Sequence, residues 1–283
     1  MSNSLFPAWF FEIVDKFKKF FSSKEYECLP LGWPEPEGVV GGWHDESIAR
    51  TQKQRWPLIK QSVQGTGPLT TAYSYVSPDA TVSQIVPHNI IMSYAYALAL
   101  ASKTKNSLTL LDWGGGVGLY LLIAKTLYPE LGIDYYCYET PQLCDLGRKI
   151  WTEAIFYDKQ EDALQRKYEL VIASSSLQYF KDWNKVLRDL AHQTQSFLYV
   201  NRLPIAKTAD SFVVKQKCFQ NKNYGYDTEV VSWIINEQEF LNSAEQTGIR
   251  LVREFLCGEH VSVAKAPEMN IETRGFLFSA NKD

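Results

Sequence analysis

From Leu108 onward the apolar residues come in short runs, separated by stretches whose apolar positions repeat at helical spacing. LTLLD (Leu108–Asp112), IDYYCYE (Ile133–Glu139), AIFYD (154–158), YELVIASSS (Tyr168–Ser176) and SFLYVN (Ser196–Asn201) read as five strands. Thr140 and Pro141 stand where an N-cap and first helical residue belong, Asp182 starts a helix running to about His192, and Asn236-x-x-Glu239 resembles a capping box for a helix ending at Gly248. IRLVREFL and RGFLFSA supply a sixth and a seventh strand. Strands that alternate with helices predict an α/β fold, a parallel sheet with helices on both faces.

The first eighty residues follow other patterns. Phe6, Trp9, Phe10, Ile13, Phe17 and Phe20 share one side of a helix over residues 5–22, opposite Glu12, Asp15, Lys16 and Lys19. Such a helix packs on the domain or on a second copy, or lies on a membrane surface as a peripheral contact; its mixed-sign polar face speaks against the last. Residues 23–45 are rich in Pro and Gly and read as a linker. A polar helix is expected from Asp45 to Val63, with Pro57 a point of interruption, and a helix pair from Asp79 past Pro87 to Lys103. The uncharged run 80–102 is long enough to span a membrane, but Gln84, Pro87, His88 and Asn89 favour a buried, kinked helix. The expected organisation is an extension over 1–78 and a domain over 79–283, with an insert at 203–233.

Composition narrows this picture. The chain has 283 residues, 45% hydrophobic, enough for one domain with a substantial extension. A net charge of −3 gives no indication of a nucleic-acid partner. Five cysteines without a C-x-x-C pair suggest free thiols in a reducing compartment, hence a cytoplasmic protein with no zinc site. The sequence leaves the oligomeric state open.

The chemistry centres on LDWGGGVGLY. Gly114, Gly115, Gly116 and Gly118 let a strand turn sharply into a helix and let a bulky ligand approach the backbone. A dinucleotide site requires G-x-G-x-x-G, and neither Leu119 nor Leu121 completes that spacing. The pattern present is D-x-G-x-G-x-G, beginning at Asp112. Glu139 ends the second strand, 21 residues after Gly118, where a carboxylate can accept hydrogen bonds from ribose hydroxyls.

The glycine turn resembles motif I of the class I S-adenosylmethionine-dependent methyltransferases. That resemblance implies a Rossmann-like seven-stranded sheet, here with a helical N-terminal extension, and S-adenosyl-L-methionine as cofactor. Asp112 would serve the cationic methionine end, the glycines would face the sugar and amino-acid moiety, and Tyr157 and Asp158 would lie at the adenine. ASSSLQYF resembles motif IV, with Ser174 and Ser175 along the methionine moiety and Gln178 and Tyr179 toward the substrate. Many relatives carry His near this point where this chain has Gln178, which leaves His88 the best-placed general base. The insert carries Gln220 and Asn221 among aromatic residues, a mixture suited to a sugar. The GGWH segment, SSSLQYF and FQN…Y are similar to a bacterial methyltransferase family often found in surface-polysaccharide gene clusters, which implies O-methylation of a glycan or its precursor. Two other readings are an NAD(P)-dependent oxidoreductase and an inactive module that only binds the cofactor.

Overall fold

Alternation along the central strands sends neighbouring side chains into two different helical layers. Leu110, Leu170, Ile172 and Tyr199 face one layer, while Leu111, Val171, Leu198 and Val200 face the other. The computed structural model describes residues 25–34, 42–67, 69, 85–218, 225–266 and 271–280. The expected helix over 5–22 lies outside the described residues, as does Asp79–Gln84 of the expected helix pair.

The central strands are β2 (Ser107–Trp113), β3 (Gly132–Tyr138), β4 (Ile155–Tyr157), β5 (Tyr168–Ser174) and β6 (Thr194–Ala206). They are parallel, in the order β4-β3-β2-β5-β6. β9 (Arg250–His260) and β11 (Ile271–Ser279) complete the sheet, with β11 antiparallel between β6 and β9. This is the Rossmann-like seven-stranded arrangement of class I methyltransferases.

The helices are α1 (Glu46–Gln64), α2 (Ile85–Ser102), α3 (Leu119–Leu127), α4 (Pro141–Ile150), α5 (Gln160–Ala163), α6 (Trp183–Gln193) and α7 (Glu237–Gln246). Asp45, Asp182 and Asn236 cap α1, α6 and α7, their side chains accepting from the backbone N–H of Ser47, Lys185 and Glu239. Thr140 holds the N-cap position of α4 without a side-chain bond to the helix.

Pro87 is the third described residue of α2, and the residues on which an interruption there would show lie outside the described ones. Pro57 stands inside α1, which continues to Gln64 because Ile59 and Val63 beyond it join the core. α2 has the length and composition of a membrane span, yet Ile90, Ile91, Tyr94, Ala97 and Leu98 are buried in this domain.

The fifth strand is twice the expected length, and this changes the architecture. Beyond the end of β5, Ile205 and Ala206 of β6 pair with β8 (Glu229–Asn236). β8 pairs with β7 (Phe212–Lys217), β7 with β1 (Tyr26–Cys28), and β1 with β10 (Val263–Ala264). Residues from both chain ends thus build an auxiliary sheet over the C-terminal edge of the main one, where open α/β sheets bind ligands.

Candidate functional site

The glycine turn between β2 and α3 is held by its own backbone. Gly114 N–H donates to the Tyr138 carbonyl across the β2–β3 pair, 2.8 Å. Gly114 and Gly118 have φ of +73° and +89°, which L side chains rarely adopt. A Cβ on Gly114 would lie 2.5 Å from the Ser176 Cβ, and one on Gly118 2.7 Å from the Trp151 indole nitrogen. Gly115 covers the Asp112 carboxylate, which a Cβ there would strike.

Glu139 joins the turn to the end of β3. Its Oε2 accepts from Gly116 N–H at 3.0 Å and its Oε1 from Thr140 N–H at 2.7 Å. Each oxygen keeps a lone pair for a ligand hydroxyl. Burial raises the carboxyl pKa, and the two backbone N–H groups pull it back. Asp112 sits beneath the turn at 1% exposure, with Oδ2 accepting from the Tyr135 hydroxyl at 2.6 Å. Its Oδ1 is buried with no hydrogen-bond partner among the described residues. Burial pushes the Asp112 carboxyl up to about 7; Glu139 adds to this and the Tyr135 hydrogen bond opposes it.

The opposite wall comes from the end of β5. Ser174 Oγ and the Tyr120 hydroxyl are 2.6 Å apart. Ser175 takes φ +51° while its N–H donates to the Asn201 carbonyl at 2.8 Å, a strained residue held by the adjacent strand. Tyr179 donates its hydroxyl to Gln216 Oε1 on β7 at 3.1 Å, and its ring meets Trp43 edge-on at 4.7 Å. Trp43 and His44 belong to a short turn, Gly42–His44, fixed by the Asp45 cap that follows and by the Thr228 hydroxyl donating to the Gly42 carbonyl.

These groups bound a cleft of about 270 Å³, with the glycine turn and Glu139 on one side and Ser174, Ser175 and Tyr179 on the other. Trp43, His44, Gln52 and Tyr226 form its outer wall. Two features fit the nucleoside and methionine parts of S-adenosylmethionine: a cradle that a Cβ would fill and a strand-end carboxylate with free lone pairs; Asp112 and Gly118, also expected at the cofactor, lie behind the turn and do not line the cleft.

Other expected site residues lie elsewhere. Tyr157 and Asp158 do not line the cleft; Tyr157 stacks on Tyr136 with ring centroids 6.3 Å apart. Tyr138, Thr140 and Leu143 occupy the cleft wall beyond Glu139. His88 does not reach the cleft either, because α2 turns Ile90 toward it instead. Gln178 borders a neighbouring cavity, and Gln220 and Asn221 lie outside the described residues. The sequence reading assigned no role to Trp43, His44, Gln52 or Arg202, all of which line the cleft. The GGWH segment just before the Asp45 cap was the available signal for the first two.

Comparison with known proteins agrees with this geometry. Residues 88–201, from α2 through the centre of β6, match a family model described as a methyltransferase domain. No curated protein sequence matches the chain. Among solved structures, magnesium protoporphyrin IX methyltransferase from Synechocystis PCC 6803, with bound S-adenosylmethionine, is similar at a TM-score of 0.50 and 13% identity, over 83% of this chain and 94% of that one. An S-adenosylmethionine-dependent methyltransferase from Clostridium acetobutylicum ATCC 824 gives a TM-score of 0.48 at 10% identity, over 81% of this chain and 99% of that one. The first likeness establishes the fold. Residues 88–201 therefore match a methyltransferase domain, carried on a Rossmann-like fold.

Proposed function

We propose that the protein transfers a methyl group from S-adenosylmethionine to a hydroxyl of a sugar or polysaccharide precursor. The carrying observation is that the cleft does not end at the glycine turn. It continues past Ser174 and Ser175 to Trp43, Tyr179 and Tyr226, where aromatic faces can stack on the C–H faces of a sugar ring. When bound, S-adenosylmethionine supplies an electrophilic methyl and leaves as a neutral thioether, so the acceptor oxygen has to give up only its proton. Glu139 orients the ligand through the lone pairs that Gly116 and Thr140 leave, and the small Ser174 and Ser175 leave the methyl path open.

His44 is the histidine that lines the cleft, and we assign it the role of proton acceptor in place of His88. All five cysteines are free and four are buried, which fits a cytoplasmic enzyme. The test is methyl transfer from labelled S-adenosylmethionine to a panel of monosaccharides and nucleotide sugars. Turnover is expected with at least one, and His44→Asn should lower kcat by about 10²–10⁴-fold with little change in cofactor affinity. Cofactor binding without turnover on any hydroxyl acceptor, or full activity in His44→Asn, would refute the corresponding assignment.

A further inference from the structure

α1 carries one side chain that packing alone does not call for. Ile48, Gln52 and Trp56 fall about one turn apart on a single face of the helix. Ile48 is buried in one cluster with Val117 and Leu143, and Trp56 meets Trp151 edge-on with ring centroids 6.0 Å apart. Gln52 stands between them at 9% exposure, where a hydrocarbon side chain would complete the apolar stripe. Its polar neighbours on α1 are paired. Ser47 Oγ accepts from the Asp227 N–H and the Thr51 hydroxyl donates to the Gly225 carbonyl, each at 2.9 Å. These bonds and the two apolar contacts fix the helix, and with it the position of the Gln52 amide.

Gln52 lines the cleft, and its amide lies against the glycine turn. The amide oxygen and nitrogen are 3.2 and 3.5 Å from the point where a Cβ on Gly116 would stand. No hydrogen bond engages the amide among the described residues. Gly116 is also the residue whose N–H donates to Glu139 Oε2 at 3.0 Å. The Gln52 amide and the Glu139 carboxylate therefore meet at the same residue of the turn, and both side chains line the cleft. A buried amide without partners loses the hydrogen bonds it makes in water. An amide kept on the apolar face of a helix, open to a cleft, calls for a ligand that restores them.

We infer that Gln52 binds the ribose of the methyl donor, its amide taking the hydroxyl next to the one that Glu139 accepts. The assignment rests on the reading of the cleft as the methyl-donor site, and adds to it a residue from outside the 88–201 match. A carboxylate only accepts, whereas an amide both donates and accepts, so the two side chains together hold neighbouring hydroxyls in one orientation. Ser174 and Ser175, on the opposite wall, are left to the methionine moiety. The segment before the methyltransferase domain thereby becomes part of the cofactor site.

Calorimetry on the full chain tests this with two ligands: S-adenosylhomocysteine, and methylthioadenosine, which keeps the ribose and lacks the amino-acid end. Gln52→Leu roughly conserves volume and completes the apolar face of α1. It should weaken both ligands by the same factor, about tenfold. The urea midpoint of the ligand-free variant should equal or exceed that of the wild type, because an unpaired buried amide is replaced by hydrocarbon. A loss of affinity for only one of the two ligands would put the amide elsewhere than at the ribose and overturn the assignment. Unchanged affinity for both, a lowered midpoint, or a wild type that binds S-adenosylhomocysteine but not methylthioadenosine would overturn it as well. A wild type that does not bind S-adenosylhomocysteine would instead refute the methyl-donor reading of the cleft, and this inference with it.

Discussion

Asp112→Asn isolates the buried carboxylate beneath the glycine turn. Burial moves the carboxyl from its ordinary value of 3.8 to about 7. The folded protein therefore holds this proton more tightly than the unfolded chain does. The contribution of Asp112 to stability is greatest below about pH 4, falls as pH rises through about 7, and is constant above that. The full shift of about three pKa units corresponds to roughly 4 kcal/mol, of which about 1 kcal/mol is already spent at pH 4.5. Asn cannot ionise, so the stability of the variant minus that of the wild type should rise by about 3 kcal/mol between pH 4.5 and pH 8. Taking the difference cancels every other titrating group. It also removes the constant cost of an amide N–H beside a site with no acceptor. Urea unfolding followed by tryptophan fluorescence measures it at a series of pH values. A difference that stays flat to within about 1 kcal/mol would refute the buried, proton-holding Asp112.

Two further substitutions test the walls of the cleft. Gly118→Ala forces a Cβ into the left-handed region and against Trp151, whose indole N–H donates to the Val117 carbonyl at 3.0 Å. Strain of about 1–2 kcal/mol and a lost hydrogen bond of about 0.5–1.5 kcal/mol should lower the urea midpoint by an equivalent of about 2–3 kcal/mol, and an unchanged midpoint would contradict the turn geometry. Tyr179→Phe leaves the Oε1 of the buried Gln216 without its donor, so stability should fall by about 1–3 kcal/mol while S-adenosylhomocysteine affinity holds; calorimetry and urea unfolding on the same sample separate the two effects.

Local chemistry in the sequence announced much of this structure. Three alternating glycines after an apolar strand, the caps at Asp45, Asp182 and Asn236, and an acid at the end of the second strand each depend on a few neighbouring residues. Each is found where its spacing placed it. The auxiliary sheet was not legible, because it depends on partners far apart in the chain: Tyr26 with Val263 on one side and with Gln216 on the other. A three-residue strand such as β1 carries no periodicity of its own. The histidines illustrate the same limit. His88 precedes the first strand in a plausible segment, but helical phase directs Ile90 rather than His88 to the cleft. His44 arrives there from a linker-like stretch, through a turn that the Asp45 cap and Thr228 hold in place. Arg202 takes a positive φ where β6 leaves β5, and nothing in its residue type foretells that.

The most direct measurement is calorimetric titration of S-adenosylhomocysteine into the wild type and into Glu139→Ala. Glu139 ties Gly116 to Thr140 and presents its remaining lone pairs to the cleft, so charge-assisted hydrogen bonds to the ligand are lost with it. Affinity should fall by about 10–100-fold, the equivalent of about 1.5–3 kcal/mol. Titration of NADH should give no binding to either protein. S-adenosylhomocysteine binding that is absent in the wild type, or that survives Glu139→Ala within about threefold, would contradict the assignment of this cleft to the methyl donor.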